Sequence, residues 1–455
     1  MISNEALEPK NVLSAYERAC STLIENINCY CTNPNTDFTR KRKITVKNII
    51  DYLLSLGSKA TRSEICEFFT DDDPPTDTAM YLQRCKLENE AVRRVLEVFS
   101  EQFTAEKTFM GYQLLSCDGS DVTIPTDSSD EETLIYTGGK YINQYHLNAL
   151  YDDLNHLYVD MIINGKAKAG EADALLEMVK YGRYDHDHSI ITADRNFISY
   201  NEIDQLNLMK QKFAIRAKDI GSNGILSNKG LSDEQFDKTI TIRLVFRQTN
   251  AWKEKIANEP FTVFCPTNCH LQSRDPMIDY YDVSFRACRF KITDDTYECI
   301  ITNLNEDEMS LEDIKKLYNY RWKIELSFRF LKYAIGLNAF HSKKRNLLKQ
   351  EIYARVLFFN MTSLLTGNKN IEDYVDMRNK EKSDKPSRYD KSYDYKTDIA
   401  TAITNIRLWL RGIINSKTLS CRIKKYLTQS RPDRKASRKN LTRKQRAKSA
   451  HYRPA

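Results

Sequence analysis

Hydrophobic residues recur at helical spacing along one informative stretch of the chain, residues 311–335. The apolar positions are three or four residues apart and form one stripe: Leu317, Tyr320, Ile324, Phe328, Leu331 and Ile335. A stripe of this kind is typical of a helix that packs one face on a core. No Gly or Pro interrupts it, so the pattern predicts one long helix from Leu311 to Ile335. The same pattern predicts that Trp322 packs against the core beside this helix.

Helical spacing also dominates both ends of the chain. Residues 1–105 are predicted to be mostly helical, with helices near 11–30, 45–56, 62–70 and 86–103. Toward the other end, apolar helices are predicted for residues 350–365 and 398–414. The polar residues 367–396 between them are rich in Lys, Asp, Ser and Tyr, and they predict a linker or loop.

The period changes to that of strands after residue 105. A strand is predicted from Tyr112 to Asp118, a hairpin over residues 146–163, and a short buried strand over residues 189–193 that ends at Asp194. A helix near 199–209 and a strand over residues 213–217 follow. Three strands in a row, followed by alternating helix and strand, are the order of a ribonuclease-H-like sheet.

The chain is long enough for several domains, and the patterns divide it into five parts. We predict an α/β protein with a ribonuclease-H-like catalytic core that is interrupted by a β-rich insertion. The predicted parts are a helical domain (1–105), the first part of the core (106–219), the insertion (220–297), the second part of the core (298–367), and a C-terminal linker, helix and basic tail (368–455).

Three carboxylates stand at positions that suit metal-dependent chemistry on phosphodiesters. Asp118 and Asp194 follow apolar strands, and ligand sites in open α/β sheets gather at such strand ends. Glu325 lies on the long predicted helix. Two divalent ions held by carboxylates can activate a nucleophile and stabilise charge on the leaving oxygen. Asp121 is the rival to Asp118, and a strand-end or turn carboxylate without catalytic function is the alternative for each aspartate taken singly.

Tyr318, Arg321, Glu325 and Lys332 are spaced by 3, 4 and 7 residues. On a helix, these four positions fall within a wedge of roughly 60°. Tyr-(2)-Arg-(3)-Glu-(6)-Lys, together with Asp-Gly-Ser at Asp118 and Asp-Arg at Asp194, resembles the signature of the DDE transposases of the IS-four type, the Tn-five-like group. Asn196 stands where that family commonly has Gly.

The resemblance implies a cut-and-paste transposase. In such an enzyme, Asp118, Asp194 and Glu325 are catalytic and bind two Mg²⁺ ions, for which Mn²⁺ can substitute. Residues that grip DNA beside the metal site in relatives correspond here to Tyr318, Arg321 and Lys332, and Trp252 corresponds loosely to an insertion Trp that stacks on a flipped base. The resemblance also implies that the helical domain 1–105 binds DNA. It further implies double-stranded DNA partners (terminal inverted repeats and target DNA) and a homodimer in the DNA complex.

Charge along the chain indicates contact with nucleic acid. The net charge is +7, but residues 421–455 contain thirteen Lys or Arg and one Asp, so the rest of the chain is net negative. A second basic cluster comprises Arg40, Lys41, Arg42 and Lys43. Both segments are predicted to contact DNA phosphates, with a solubilising tail as the alternative reading of the C-terminal segment.

Composition favours a cytoplasmic, nucleoid-associated protein with no membrane partner. The first residues lack the features of a signal peptide, and no apolar run approaches the ~20 residues that span a bilayer. Eleven Cys without regular pairing indicate reduced thiols. Two alternatives to a transposase stay open at this point: a catalytically silent DNA-binding regulator and a stand-alone structure-specific nuclease.

Overall fold

The structure is a computed structural model, and it describes residues 7–40, 42–70, 73–103, 105–168, 170–266, 269, 277–293, 296–384 and 393–430. The α-helices are α1 (Pro9–Glu25), α2 (Val46–Ser55), α3 (Thr61–Phe68), α4 (Asp77–Arg84), α5 (Asn89–Ser100), α6 (Glu171–Tyr181), α7 (Tyr200–Leu208), α8 (Asn250–Asn258), α9 (Leu311–Tyr320), α10 (Trp322–Phe330), α11 (Arg345–Thr366), α12 (Lys369–Asp384), α13 (Ile399–Leu410) and α14 (Ser416–Lys425). The strands are β1 (Gln113–Ile124), β2 (Leu134–Thr137), β3 (Lys140–Asp152), β4 (Leu157–Gly165), β5 (Ser189–Ala193), β6 (Lys212–Ala217), β7 (Phe236–Val245), β8 (Thr262–Phe264), β9 (Tyr280–Thr293), β10 (Thr296–Thr302), β11 (Asp394–Thr397) and β12 (Leu427–Ser430).

One large mixed sheet organises the protein. Its strands follow the order β2-β3-β1-β5-β6-β10-β9-β7-β8, and β4 pairs with β3. The three strands β1, β5 and β6 are parallel to one another, whereas β3 and β10 run antiparallel to their neighbours β1 and β6. Helices α6 and α7 cover one face of this parallel centre and α9 covers the other. The predicted α/β class is therefore confirmed.

Strand β1 is longer than the sequence pattern predicts. The prediction that it ends at Asp118 is wrong, because β3 continues to pair with β1 from Leu115 to Ile124. The parallel neighbour β5 pairs with β1 only as far as Cys117. Asp118 therefore lies inside a strand, at the point where one of its two neighbouring strands has ended. Gly119 belongs to the strand as well.

The region after β6 adds strands to the same sheet. Strands β7 and β9 pair along ten positions, and β9 continues the sheet through β10. Residues 220–297, which the pattern predicts to be β-rich, contain β7, β8 and β9. The segment also contains the helix α8 between β7 and β8, which the β-type alternation does not indicate.

The long helix predicted for residues 311–335 is interrupted. It consists of α9, a break at Arg321, α10 and a short π-helical turn over Leu331–Ile335, which ends at Gly336 in the left-handed region. At the break, the Arg321 backbone N–H donates to the carbonyl oxygen of Tyr318, three residues earlier, whereas an α-helical N–H donates to the carbonyl four residues earlier. Trp322, the first residue of α10, is 50% exposed, so the prediction that it packs in the core is wrong.

Helices from both ends of the chain pack around α11, most of which is buried. A buried ion pair at 3.1 Å between Arg84 and Glu351 ties the N-terminal helices to α11. The predicted linker is wrong in part, because its first half forms the helix α12. In the described part of the chain, no helix combines the length and the apolar character needed to cross a membrane.

Candidate active site

Asp118 and Asp194 are neighbours because of the strand register. Cys117 and Ala193 are paired residues of the parallel strands β1 and β5, and each is followed directly by one of the two aspartates. Neighbouring strands are about 4.8 Å apart. An oxygen of Asp194 accepts a hydrogen bond of 2.7 Å from the backbone N–H of Asn196, which fixes the carboxylate at the start of a short helical turn. Asn196 does not adopt a positive φ.

The two aspartates share the sheet face that α9 covers. Side chains alternate along a strand, so Asp118 points to the same face of the sheet as Leu114. In the same way, Asp194 points to the same face as Ile190. Leu114 and Ile190 both pack with Leu317 of α9 in one apolar cluster. Asp118 and Asp194 therefore face the helical segment that carries Glu325.

Arg321 connects that segment to the sheet. Its guanidinium lies 3.0 Å from Glu325 Oε1 and 3.7 Å from Asp118 Oδ2. The arginine side chain is 5% exposed, whereas the side chain of Glu325 is 39% exposed. A buried cation thus bridges two of the three predicted carboxylates.

Negative charge accumulates at Asp118. Burial and, to a smaller extent, the neighbouring carboxylates of Asp194 and Glu325 raise the pKa of this carboxyl, which is about 6 overall. The Gly119 N–H and the Arg321 guanidinium oppose the rise. The other two carboxylates therefore both act electrostatically on Asp118, and additional positive charge would relieve this repulsion.

Tyr318 and Lys332, the outer positions of the signature, also contact the carboxylate-bearing strands. Tyr318 is buried, and its hydroxyl donates to the carbonyl oxygen of Ala193 at 3.2 Å. Lys332 Nζ donates to Ser120 Oγ and to the carbonyl oxygen of Asp121, both at 2.7 Å. All four signature residues therefore gather near the last residue of β5 and the middle of β1. Their predicted contacts with DNA stay predictions.

Asp121, the rival to Asp118, belongs to a different cluster. Asp121 follows Asp118 by three positions, an odd number, so the two side chains point to opposite faces of β1. The Asp121 carboxylate lies 2.6 Å from His146 Nδ1 and 2.9 Å from Lys166 Nζ, and these contacts lower its pKa to about 2 against the opposing effect of burial. Glu171 lies 2.9 Å from the other ring nitrogen of His146. The cluster is separated from Arg321 and Glu325 by the sheet.

Three charged residues at the site do not stand out in the sequence. Arg216 neighbours Asp194, because Ala193 and Ile215 are paired residues of the parallel strands β5 and β6. Its guanidinium pairs with Glu298 of β10 at 3.0 Å. Asp153, in the turn after β3, is fully buried beneath the site. Arg216 could have been found from the sequence, because a basic residue near the end of the apolar strand 213–217 is unusual. Asp153 could not, because an aspartate in a turn is common.

The remaining predicted DNA contacts lie away from the carboxylates. Trp252 lies half-buried on α8, and the centroid of its ring is 5.8 Å from that of Tyr280. Helix α8 packs beside β8, which is five strands away from β5 in the sheet. Arg40, Arg42 and Lys43 are exposed in the segment before α2. Lys41 lies outside the described residues, as do residues 431–455 of the basic tail.

The carboxylates are chemically suited to bind a divalent metal ion, but in this arrangement they are not close enough together to coordinate one. Among the described residues, no group of three or more His, Cys, Asp or Glu side chains is arranged so that it could hold a metal ion. Hard oxygen donors and mutual repulsion at Asp118 are the features that Mg²⁺ or Mn²⁺ would satisfy. The guanidinium of Arg321 now supplies the positive charge between Asp118 and Glu325.

Comparisons with known proteins find similarity to transposases. Two curated relatives, the putative transposase InsL for insertion sequence element IS186A of Escherichia coli (strain K12) and the transposase for insertion sequence element IS421 of Escherichia coli, are each 41% identical over 58 residues. That alignment covers 13% of this chain, and the chain spans only 16% of the length of each relative. A solved structure, the cryo-EM structure of the piggyBac transposase synaptic complex with hairpin DNA, aligns with a TM-score of 0.43 and 10% identity, over 92% of this chain and 82% of the other.

A family match supplies the assignment. The sequence profile of the "Transposase DDE domain" matches residues 110–361, which include Asp118, Asp194 and Glu325. The match covers more than half of the 455 residues. The chain therefore belongs to the family of proteins with a transposase DDE domain.

Proposed function

We propose that this protein is a metal-dependent DNA transposase that cuts DNA at the ends of a mobile element and joins those ends to target DNA. Membership of the DDE family supports this activity. The observation that carries the proposal is the pairing of Cys117 with Ala193, which brings Asp118 beside Asp194, with Glu325 joined to Asp118 through Arg321.

Asp118, Asp194 and Glu325 are the proposed catalytic and metal-binding residues. The family implies dependence on a divalent metal, and we assign two Mg²⁺ ions, for which Mn²⁺ substitutes. When bound, such ions supply charge stabilisation and an activated nucleophile. The protein supplies the carboxylates on two rigid strands and a helix, so little rearrangement of the backbone is needed to present them.

Cationic side chains around the carboxylates are proposed to hold the DNA backbone. Arg216 lies beside Asp194 and is 38% exposed, and Lys332 lies beside Ser120 on the other flank of Asp118. Phosphates that approach the carboxylates would meet both cations. Arg321 is buried, so its proposed role is to neutralise and position Asp118 and Glu325.

The finer family assignment is the IS-four type with a ribonuclease-H-like core. The Tyr-Arg-Glu-Lys spacing at Tyr318, Arg321, Glu325 and Lys332 supports the type. The strand order β4-β3-β1-β5-β6, with antiparallel strands on one side of β1 and parallel strands on the other, supports the core.

Other parts of the chain are proposed to bind the element's terminal inverted repeats and to pair two protomers. Residues 1–105 are the proposed DNA-binding domain, with Arg40, Lys41, Arg42 and Lys43 as phosphate contacts. Trp252, in the proposed insertion 220–297, is the proposed stacking residue. The core would comprise 106–219 and 298–367, and the basic segment of 368–455 would add phosphate contacts. The protein would then act as a homodimer on double-stranded DNA at the nucleoid.

A cleavage assay tests the proposal. The full-length protein is incubated with duplex DNA that carries the sequences flanking the coding region, with Mg²⁺ and with EDTA. Cleavage at the element's ends is expected with Mg²⁺ only. Glu325→Gln should abolish cleavage and retain DNA binding in a gel-shift assay. Glu312→Gln, on the exposed surface of α9, is the matched control and should cut normally.

The two alternatives predict different results in the same assay. A stand-alone nuclease would cut unrelated duplex DNA as fast as the element's ends. A silent regulator would bind the ends and cut nothing with Mg²⁺ or Mn²⁺. Either result would overturn the transposase assignment.

A further inference from the structure

Arg321 and divalent ions compete for the same carboxylates. The guanidinium contacts Glu325 at 3.0 Å and Asp118 at 3.7 Å. Ions held by these two groups and Asp194 would bring positive charge into the space next to the guanidinium. Like charges repel strongly in a site with little water, and a buried guanidinium without a carboxylate is costly. Metal binding therefore requires another acceptor for Arg321.

A buried polar layer lies directly beneath the carboxylates. Ser116 and Thr192 are paired residues of β1 and β5, two positions before Asp118 and Asp194, and their hydroxyls are 2.8 Å apart. Two residues along a strand span about 6.6 Å. The carboxyl group of Asp153 enters this layer, where it accepts a hydrogen bond from Ser116. An acidic side chain is thus buried one layer below the site.

Asp153 and Arg321 each retain unused hydrogen-bonding capacity. Among the described residues, neither Asp153 Oδ1 nor Arg321 Nε has a hydrogen-bond partner, although both atoms are buried. Such orphaned groups are rare in folded proteins. Burial raises the pKa of Asp153 well above its usual range, whereas Ser116 and the charges of Lys323 and Arg321 lower it. Arg321 is therefore close enough to act on Asp153.

We propose that Asp153 is a positioning residue that accepts the Arg321 guanidinium when divalent ions occupy Asp118, Asp194 and Glu325. The inference rests on the proposed function. In the metal-free protein, Arg321 holds Asp118 and Glu325 together. In the metal-bound protein, it turns toward the polar layer and pairs with Asp153, which leaves the upper carboxylates to the ions.

Glu298 is the rival acceptor, and it is less suitable. Burial raises the pKa of Glu298, and the charges of Arg216 and, to a smaller extent, Arg321 oppose the rise. Arg321 is therefore close enough to act on Glu298 as well. However, its carboxylate is already paired with Arg216 at 3.0 Å. Within the described ranges, no cationic side chain is bonded to the Asp153 carboxylate, and Lys323 donates to the backbone carbonyl of this residue instead.

Mn²⁺ affinity of the full-length protein, measured by calorimetry and by the EPR signal of free Mn²⁺, tests the inference. Asp153→Asn keeps the shape and removes the charge, and we expect it to weaken Mn²⁺ binding at least threefold. The matched control is Glu298→Gln, which removes another carboxylate near Arg321 and should change the affinity less than twofold. In an Arg321→Met background, Asp153→Asn should have no effect.

The double-mutant comparison separates positioning from a general loss of negative charge. Equal weakening by Asp153→Asn with and without Arg321 would overturn the inference, as would no weakening in either background or a stronger effect of Glu298→Gln. In those cases the proposal of a metal site would still stand if Asp118→Asn and Glu325→Gln abolish Mn²⁺ binding. A wild-type protein that binds no Mn²⁺ would overturn both proposals.

A structure of the wild-type protein with Mn²⁺ provides a measurement that does not depend on the folding of variants. Arg321 is expected within hydrogen-bond distance of Asp153 Oδ1 and away from Asp118. Arg321 still between Asp118 and Glu325, with the ions bound, would overturn the inference.

Discussion

The hydroxyl of Tyr318 donates a hydrogen bond to the carbonyl oxygen of Ala193, the residue that precedes Asp194. The bond joins α9 to the end of β5 inside an apolar cluster. Tyr318 therefore links the helix of the signature to the strand that carries the second aspartate, and its side chain is buried in the arrangement described here.

Removal of that hydroxyl should loosen the link between helix and strand. Tyr318→Phe is expected to lower the free energy of unfolding by about 0.5–1.5 kcal/mol, because a buried carbonyl loses a donor. Cleavage should fall while DNA binding is retained. Urea denaturation and gel-shift assays measure the two effects. Tyr320→Phe, two residues away and only partly buried, is the control. Weaker DNA binding without a change in stability would instead favour direct contact of Tyr318 with a phosphate.

Neutralisation of Asp118 should stabilise the metal-free protein. Burial and the neighbouring carboxylates raise the pKa of Asp118 to about 6, so the folded protein resists ionisation that the unfolded chain undergoes near pH 4. The wild-type protein loses stability as the pH rises between these values. Asp118→Asn should avoid this loss and gain roughly 1–3 kcal/mol at pH 8.

Chemical denaturation in EDTA, from pH 4 to 8, measures this effect. The difference between variant and wild type should be small at pH 4 and largest above pH 6. Mg²⁺ should stabilise the wild-type protein and not the variant. Asp376→Asn, at an exposed position of α12, should change stability by less than about 0.5 kcal/mol. An Asp118→Asn protein less stable than wild type at pH 8 would contradict the prediction.

Gly119 is required by close packing and not by backbone conformation. A Cβ atom at this position would overlap the His146 ring and lie 2.7 Å from Glu171 Oε1. Gly119→Ala is therefore expected to cost about 1–3 kcal/mol of stability. Gly221→Ala is the control, because a Cβ there has nothing within 4 Å. Thermal unfolding of the two variants should differ clearly; equal melting temperatures would show that the His146 cluster moves freely.

The His146 cluster should make stability depend on pH above neutrality. Burial lowers the pKa of His146, but hydrogen bonds with Asp121 and Glu171 outweigh this effect and raise it above its usual value. The protonated ring therefore contributes stability below about pH 6.5, and this contribution is lost as the pH rises through the folded-state pKa. His146→Gln should flatten the fall in unfolding free energy as the pH rises above about 6.5. An unchanged slope would contradict the assignment of a protonated ring.

The sequence predicts which side chains gather around Asp118 more completely than it predicts the fold around them. The spacing of Tyr318, Arg321, Glu325 and Lys332 needs only helical periodicity, and the break at Arg321 is too small to disperse these residues. The extent of β1 beyond Asp118 cannot be read from its own residues, since pairing with β3 decides it.

Other differences have similar causes. The polar residues 369–384 form α12 although their composition is that of a linker, and only part of this helix is buried. Asp153 is a turn residue by sequence, and its burial arises from the way in which the end of β3 meets β1. Its significance depends on contacts between segments that are distant in the chain.

The order of the three carboxylates along the chain bears on how the protein is made. Both aspartates lie in the first half of the polypeptide, and Glu325 follows Asp194 only after β6, β7, β8, β9, β10 and α9. At roughly 5–20 residues per second, a ribosome needs several seconds to reach Glu325 after it has passed Asp194. A nascent or prematurely terminated chain therefore lacks the third acidic group, and under the mechanism proposed above such an unfinished protein would not cut DNA.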